Sequence, residues 1–490
     1  MSQSRKFILN SVIYALGDML TKSARVILIP YYISVLTLAE YGVLAILLAL
    51  QVACFSLLAL GLGFSIKRFY FDYKEKGNEY SSTLWWGRML LALPLLAFLL
   101  IGAWVFDQNS SSPITFELLA LAIISGFFRG GLNLVESWFV IREEPVKYRA
   151  FTFFQFMTST LLIIYFVSFQ DMGVKGALLG DVISQVIWAV ISALIMTRAA
   201  MPKFGDIDWK ESLQYCLPGV PHVFFMWGLT AADRVLLSNY VPYEEIGVYD
   251  VGYLLATFMS IAIMAMRSAW LPGYFKDANS EEGKKKFSQT AIMYFFVIFF
   301  AALGGALFAP EGVAIMARNS AAGAVDIFRV VVIGLAFFAI FVAFNQPLFY
   351  ERRVGIISLI SCCGLTTNIV ANMLLIPPFG IMGAAIATII AYVVIAIIVL
   401  AVVHRKYPIQ WNYRFVIWLA IVALFLGIVG SIMSDEGEIT SILLRLGLLA
   451  AFPLITMFRV DRDESNRLRI GLRVRLGNIL SRRKSPDSTN

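Results

Sequence analysis

Apolar runs long enough to cross a bilayer recur along the whole chain, each closed by a short polar stretch. A helix of roughly 20 residues spans a hydrocarbon core of ~30 Å. Fourteen windows meet that length: 8–34, 41–66, 83–106, 115–140, 148–170, 173–198, 213–238, 244–270, 287–309, 322–347, 354–376, 379–403, 413–433 and 440–458. The pattern predicts an all-α integral membrane protein of about 14 transmembrane helices, spans 1 to 14 below. The first run is longer than a signal-peptide core and lacks a small-residue cleavage site after it, so it is expected to remain as a signal anchor.

Charge sharpens the picture by its distribution. Hydrophobic residues make up 59% of the 490 positions and charged ones 15%, outside the range of soluble domains. The net charge of +8 is topological, because Lys and Arg collect in alternate loops. One set holds Arg5 and Lys6; Lys67, Arg68, Lys74 and Lys76; Arg142, Lys147 and Arg149; Arg198, Lys203 and Lys210; Lys276 and Lys284 to Lys286; Arg352 and Arg353; Arg405, Lys406 and Arg414. The opposite loops hold Lys175 and Arg318. The positive-inside bias therefore predicts an even number of spans and both termini on the cytoplasmic side. No nucleic-acid-binding patch is implied. The tail 459–490 carries nine Lys or Arg residues among Leu and Ile, which suits either the inner leaflet or solvent.

Four cysteines, all inside apolar windows, and two histidines supply neither a disulfide framework nor a metal site. No cofactor is expected.

Short segments repeat across half the chain. "ARVIL" from Ala24 matches "DRVLL" from Asp233, "EYGV" from Glu40 matches "EIGV" from Glu245, Tyr70-Phe71 matches Tyr274-Phe275, and "GVKGA" from Gly173 matches "GIMGA" from Gly380. All four recur in one order at offsets of 204 to 209 residues. Two pseudo-symmetric six-helix lobes follow, at 1–205 and 206–406, with two added helices at 407–458 and the basic tail at 459–490.

Ionisable side chains inside a span cost about 2.5–3.5 kcal/mol on the insertion scale, so they face a bundle interior or a wet cavity. Tyr14, Asp18, Lys22 and Arg25 share one face of span 1, Ser125, Arg129, Asn133 and Glu136 one face of span 4, and Asp181, Gln185 and Trp188 one face of span 6. Three such stripes in the first lobe predict a hydrated cavity. Its second-lobe counterparts are sparser: Asp233 and Arg234 in span 7, Asp250, Tyr253 and Thr257 in span 8, Asn345 and Gln346 in span 10, Asn368 and Asn372 in span 11. Asp18 with Lys22, and Asp233 with Arg234, read equally as structural charge pairs or as ligands. Arg25 and Arg129 have no evident local partner in mid-span, although Glu136 lies two turns from Arg129. Arg88, Arg267, Arg329 and Arg445 sit nearer span ends and are expected to snorkel, while Trp85, Trp86 and Trp411 are expected at the membrane interface. Gly17 and Pro30 in span 1, and Pro218 and Pro221 in span 7, are candidate hinges at related places in the two lobes.

Leu217-Pro218, "DRVLL" from Asp233, "IGVYDVGYLLA" from Ile246 and "GIMGAAIATIIAY" from Gly380 resemble the polysaccharide flippases (Wzx type) of the multidrug/oligosaccharidyl-lipid/polysaccharide exporter superfamily. That resemblance implies a V-shaped pair of six-helix lobes that moves an undecaprenyl-diphosphate-linked oligosaccharide from the cytoplasmic to the periplasmic leaflet, without catalysis, alongside polysaccharide polymerase and chain-length or export proteins. It also implies that buried basic residues grip the anionic head group, with Arg25, Arg129, Lys22 and Arg234 as candidates. Asp18, Glu136, Asp181 and Asp233 remain candidates for charge pairing or for H+ or Na+ coupling, and the membrane potential is an alternative drive. The lipid II flippases are close relatives by the same resemblance. A cation or drug antiporter of the superfamily, usually with twelve helices, is a rival reading. A membrane glycosyltransferase or polymerase is disfavoured, because the predicted outward loops are short and lack paired carboxylates.

Overall fold

The structure, a computed structural model, describes residues 28–110, 112–267, 281–317, 321–351, 353–406, 412–432 and 439–457. Gly17, Asp18, Lys22, Arg25, Trp411 and the tail 459–490 lie outside the described residues. Among the described residues the regular structure is helical, and eleven helices are long and apolar enough to cross a membrane. One of the eleven contains two predicted spans. Spans 11 and 12 form the run Val354–Lys406, broken only at Gly380, where φ is 55° just after Pro377 and Pro378. Span 7 is interrupted instead: helix Trp209–Cys216 ends, the chain turns at Leu217 and Pro218, and helix Gly219–Leu237 follows. Pro218 thus stands at a helix break, Pro221 lies in the first turn after it, and Pro30 lies in the short described stretch of span 1.

The ends of span 2 show how local chemistry sets element limits. Its N-terminus is a capping box, in which the Thr37 hydroxyl accepts the Glu40 N–H at 3.2 Å and the Glu40 carboxylate accepts the Thr37 N–H at 2.8 Å. The helix runs Leu38–Leu58 and stops because Leu60 and Gly61 take left-handed backbone angles, φ 52° and 66°. Helix Leu62–Phe69 then restarts in a new direction, with Lys67 and Arg68 in its last turn.

The chain divides into two compact units. The first contains residues 1–271 and 312–408, and the second 272–311 and 409–490. Within the first, span 2 packs on span 4 (Phe116–Ile141) and span 8 (Tyr243–Ala256), span 4 packs on span 6 (Gly173–Ala199), and span 10 (Ala324–Phe344) packs on spans 11 and 12. Within the second, the helix of span 9 packs on spans 13 (Tyr413–Ile432) and 14 (Ile439–Met457).

The duplicated motifs share backbone geometry. Gly173 and Gly380 both have positive φ, 52° and 55°. Three residues later, a Cβ at Gly176 would press on the Phe166 carbonyl and one at Gly383 on the Leu375 carbonyl, so each motif ends a tight helical hairpin.

Three expectations need correction. Arg88 and Arg445 are fully buried rather than snorkelling, and Trp85 is 2% exposed rather than interfacial. Arg88 donates from Nε to the Leu58 carbonyl at 2.9 Å, its guanidinium carbon 4.6 Å from the centre of the Phe127 ring. The break after span 2 supplies this unsatisfied helix-end carbonyl, so a cation is stabilised far from solvent. Arg445 meets Glu311 at 2.8 Å and the Leu307 carbonyl at 3.0 Å inside the second unit. Trp85 donates its indole N–H to the Gly131 carbonyl at 3.1 Å. Trp86, half exposed, donates to Thr197 at 3.1 Å.

Candidate functional site

A cavity of about 470 Å³ lies in the first unit, lined by residues of spans 2, 4, 5, 6, 7 and 8 and by Leu28 and Tyr32. Two of the three stripes meet there. Span 4 sends in Arg129 and Glu136, and span 6 sends in Asp181 and Gln185. Spacings of seven and of four residues keep each pair on one helix face. Span 1's stripe lies outside the described residues.

The first-lobe side chains form one connected network. Glu136 and Arg129 make an ion pair at 2.9 Å, so the expectation that Arg129 lacks a partner is corrected. Two helical turns bring Glu136 back to the face from which the flexible guanidinium reaches it. Arg129 also donates to Gln155 at 3.0 Å, and Gln155 donates to Gln185 at 3.1 Å. Gln185 donates to Asp181 Oδ1 at 3.4 Å. Around Asp181, Oδ1 also accepts the Ser159 hydroxyl at 3.0 Å, while Oδ2 accepts Gln51 Nε2 at 2.8 Å and the Ser125 hydroxyl at 2.6 Å. Four spans are therefore tied to one carboxylate. A buried polar network of this kind stands because its members satisfy one another in a low-dielectric setting.

A second charge centre closes the opposite wall. Arg234, 5% exposed, forms ion pairs with its own neighbour Asp233 at 2.8 Å and with Asp250 of span 8 at 3.0 Å. Its Nη1 donates to the Thr230 carbonyl at 2.7 Å, and its guanidinium carbon sits 4.1 Å from the centre of the Tyr253 ring. Tyr249 donates to Asp233, and Tyr41 of span 2 donates to Asp250 at 2.8 Å. Arg234 is thus consumed by two carboxylates and a carbonyl. Arg129 keeps 32% of its side chain exposed and still offers N–H groups to the cavity.

Sequence reasoning did not single out Gln51, Gln155, Ser159, Tyr41 or Trp227. Trp227 donates to the Ala49 carbonyl at 2.7 Å, joining span 7 to span 2. Gln51 and Gln155 carry no charge, so the insertion cost that flags a buried Arg or Asp does not flag them. Among the described residues no group of three His, Cys, Asp or Glu could hold a metal ion. The lining mixes hydroxyl, carboxamide, carboxylate, guanidinium and aromatic groups with aliphatic ones such as Leu44, Leu48, Val52 and Leu254.

Residues 7–277 match the family model described as polysaccharide biosynthesis protein. Protein 1 of the Lsg locus of Haemophilus influenzae is 26% identical over 284 residues, which span 55% of this chain and 66% of that protein. An uncharacterized membrane protein of the same organism is 21% identical over 288 residues, 56% of this chain and 67% of that protein. In fold, the chain is similar to the lipid II flippase MurJ in an inward closed conformation, with a TM-score of 0.72 at 15% identity over 91% of this chain and 98% of MurJ. A multidrug resistance MATE family transporter of the MOP superfamily, inward-facing, gives 0.65 at 14% identity over 79% of this chain and 94% of that transporter. With its helices, its buried charge network and more than half its length matching the family model, this chain belongs to the polysaccharide biosynthesis protein family and has the membrane fold of the MOP superfamily.

Proposed function

We propose that the protein is a flippase that carries an undecaprenyl-diphosphate-linked oligosaccharide from the cytoplasmic to the periplasmic leaflet of a bacterial inner membrane, for assembly of a cell-surface polysaccharide. The observation that carries this reading is a cavity that sets buried charged and carboxamide groups among apolar ones, walled by helices of apolar composition, in a chain of the polysaccharide biosynthesis family. A polyprenyl tail never needs to leave lipid. Only the sugar and diphosphate require the polar route, and hydroxyl, carboxamide and guanidinium groups suit both.

On this reading Arg129 is the described guanidinium that meets the head group, and Arg25 and Lys22 of span 1 supply the rest of the basic grip. Arg234 serves the internal charge centre instead. An inside-negative potential favours outward movement of a diphosphate by about 2.3 kcal/mol per charge per 100 mV, with both termini in the cytoplasm. H+ or Na+ exchange is the alternative drive. Polymerase and chain-length or export proteins would consume the flipped unit.

Deleting the gene in its host tests the reading. The expected result is loss of surface polysaccharide with its lipid-linked repeat unit accumulating on the cytoplasmic leaflet. Unchanged polysaccharide and no accumulated intermediate would remove the proposal.

A further inference from the structure

Among the described residues, the cavity wall carries two guanidinium groups, Arg129 and Arg234, and three carboxylates, Glu136, Asp181 and Asp250. The pairing leaves one acid over. Arg129 is held by Glu136 at 2.9 Å, and Arg234 by Asp250 at 3.0 Å and by Asp233 at 2.8 Å. Among the described residues Asp181 has only neutral donors: Gln51, Ser125, Ser159 and Gln185, at 2.6 to 3.4 Å. Those donors orient the carboxylate and carry no formal charge of their own. Asp181 lines the cavity and is only half buried, so the charge is presented to whatever fills the space.

From this neutral setting we infer that Asp181 is a specificity-determining residue for the head group, selecting a neutral or amine-bearing sugar and rejecting a carboxylate-bearing one beside it. A sugar hydroxyl, acetamido N–H or ammonium finds an acceptor at Asp181, with the carboxamides of Gln155 and Gln185 beside it. A uronate there meets a like charge, and like-charge juxtaposition is how a site rejects the wrong partner. The diphosphate is left to the basic groups elsewhere. This inference rests on the flippase reading and narrows its substrate class.

The test uses the full chain in proteoliposomes with three fluorescent lipid-diphosphate-linked saccharides that differ in the terminal sugar: N-acetylglucosaminyl, glucosaminyl and glucuronyl. Wild type is expected to move the first two at least tenfold faster than the third. Asp181→Asn is expected to shrink that ratio at least fivefold, and Gln185→Glu, which adds a second carboxylate, to widen it. Monodisperse elution and cooperative thermal unfolding in detergent report that each variant is folded. Equal or faster movement of the glucuronyl probe by wild type overturns the inference while leaving the flippase reading intact, as does a ratio unchanged by both variants. If Asp181→Asn slows all three probes alike and abolishes dependence on a sodium or proton gradient, Asp181 holds a coupling cation and the selectivity assignment falls. Failure of wild type to move any probe overturns the flippase reading and this inference with it.

Discussion

Gly42 and Gly247 meet backbone to backbone where spans 2 and 8 cross. A Cβ at Gly42 would overlap the Tyr243 carbonyl oxygen, and a Cβ at Gly247 would overlap the Leu38 carbonyl oxygen. The two contacts are the same contact seen from either repeat, because Gly42 and Gly247, like Leu38 and Tyr243, are separated by 205 residues. Small residues allow membrane helices this approach, and nothing larger fits without parting the backbones. Gly42→Val or Gly247→Val is therefore expected to disfavour this packed arrangement by about 1–3 kcal/mol, the usual penalty for overpacking. Disulfide trapping between cysteines placed at Leu38 and Tyr243 measures it. Trapping should fall at least fivefold in either valine variant, and unchanged trapping would show that the crossing tolerates a side chain.

One turn along span 8 from Gly247, Asp250 accepts from Tyr41 at 2.8 Å while pairing with Arg234 at 3.0 Å. Asp250→Asn keeps the shape but removes a charge from a buried centre, and disrupting such a pair costs about 3–5 kcal/mol when one partner is left unmatched. Asp233 still faces Arg234, so the lower end applies here. Tyr41→Phe removes one hydrogen bond, about 1 kcal/mol. Thermal unfolding in detergent should rank the variants in that order, and a larger loss for Tyr41→Phe would contradict the assignment.

Arg88 and Gly130 give a sharper stability test. A Cβ on Gly130 would overlap the Arg88 guanidinium. Gly130→Ala and Arg88→Ala are each expected to destabilise, the second by about 3 kcal/mol through lost packing and the bond to the Leu58 carbonyl. In the double variant the alanine methyl enters vacated space, so the Gly130→Ala penalty should vanish. Additive losses would mean that the two residues are not coupled as the geometry requires.

For Arg129, Arg129→Ala is expected to lower flipping at least tenfold. Glu136→Gln should lower it less, because it frees rather than removes the guanidinium. A double-mutant cycle on transport rate should return a coupling of about 1 kcal/mol or more, as residues in direct contact do. No coupling would mean that the 2.9 Å ion pair has no part in transport.

What the sequence disclosed, and what it did not, follows from the cost of burying charge. Arg129, Glu136, Asp181 and Gln185 were legible because a polar residue in an apolar window is expensive and helical spacing says which ones share a face. Gln51, Gln155 and Ser159 carry too small a penalty to stand out. Arg88 was misread because its partner is a carbonyl exposed by the break at Leu60 and Gly61, and a left-handed leucine leaves no mark in hydropathy. Arg445 was misread for a related reason: Glu311 lies 134 residues away, beyond any local pairing rule. The limits read for spans 11 and 12, 354–376 and 379–403, by contrast, did fall at the break, at Pro377 and Pro378 just before Gly380.

The central claim is transport of a lipid-linked saccharide through the cavity that holds Arg129 and Asp181. Its most direct measurement is the rate at which a fluorescent undecaprenyl-diphosphate-linked oligosaccharide becomes accessible to a membrane-impermeant quencher in proteoliposomes. Purified protein should raise that rate at least tenfold over protein-free vesicles, with Arg129→Ala returning most of the way to the uncatalysed rate. No acceleration by monodisperse wild-type protein, across neutral, amine-bearing and acidic head groups, would contradict the account.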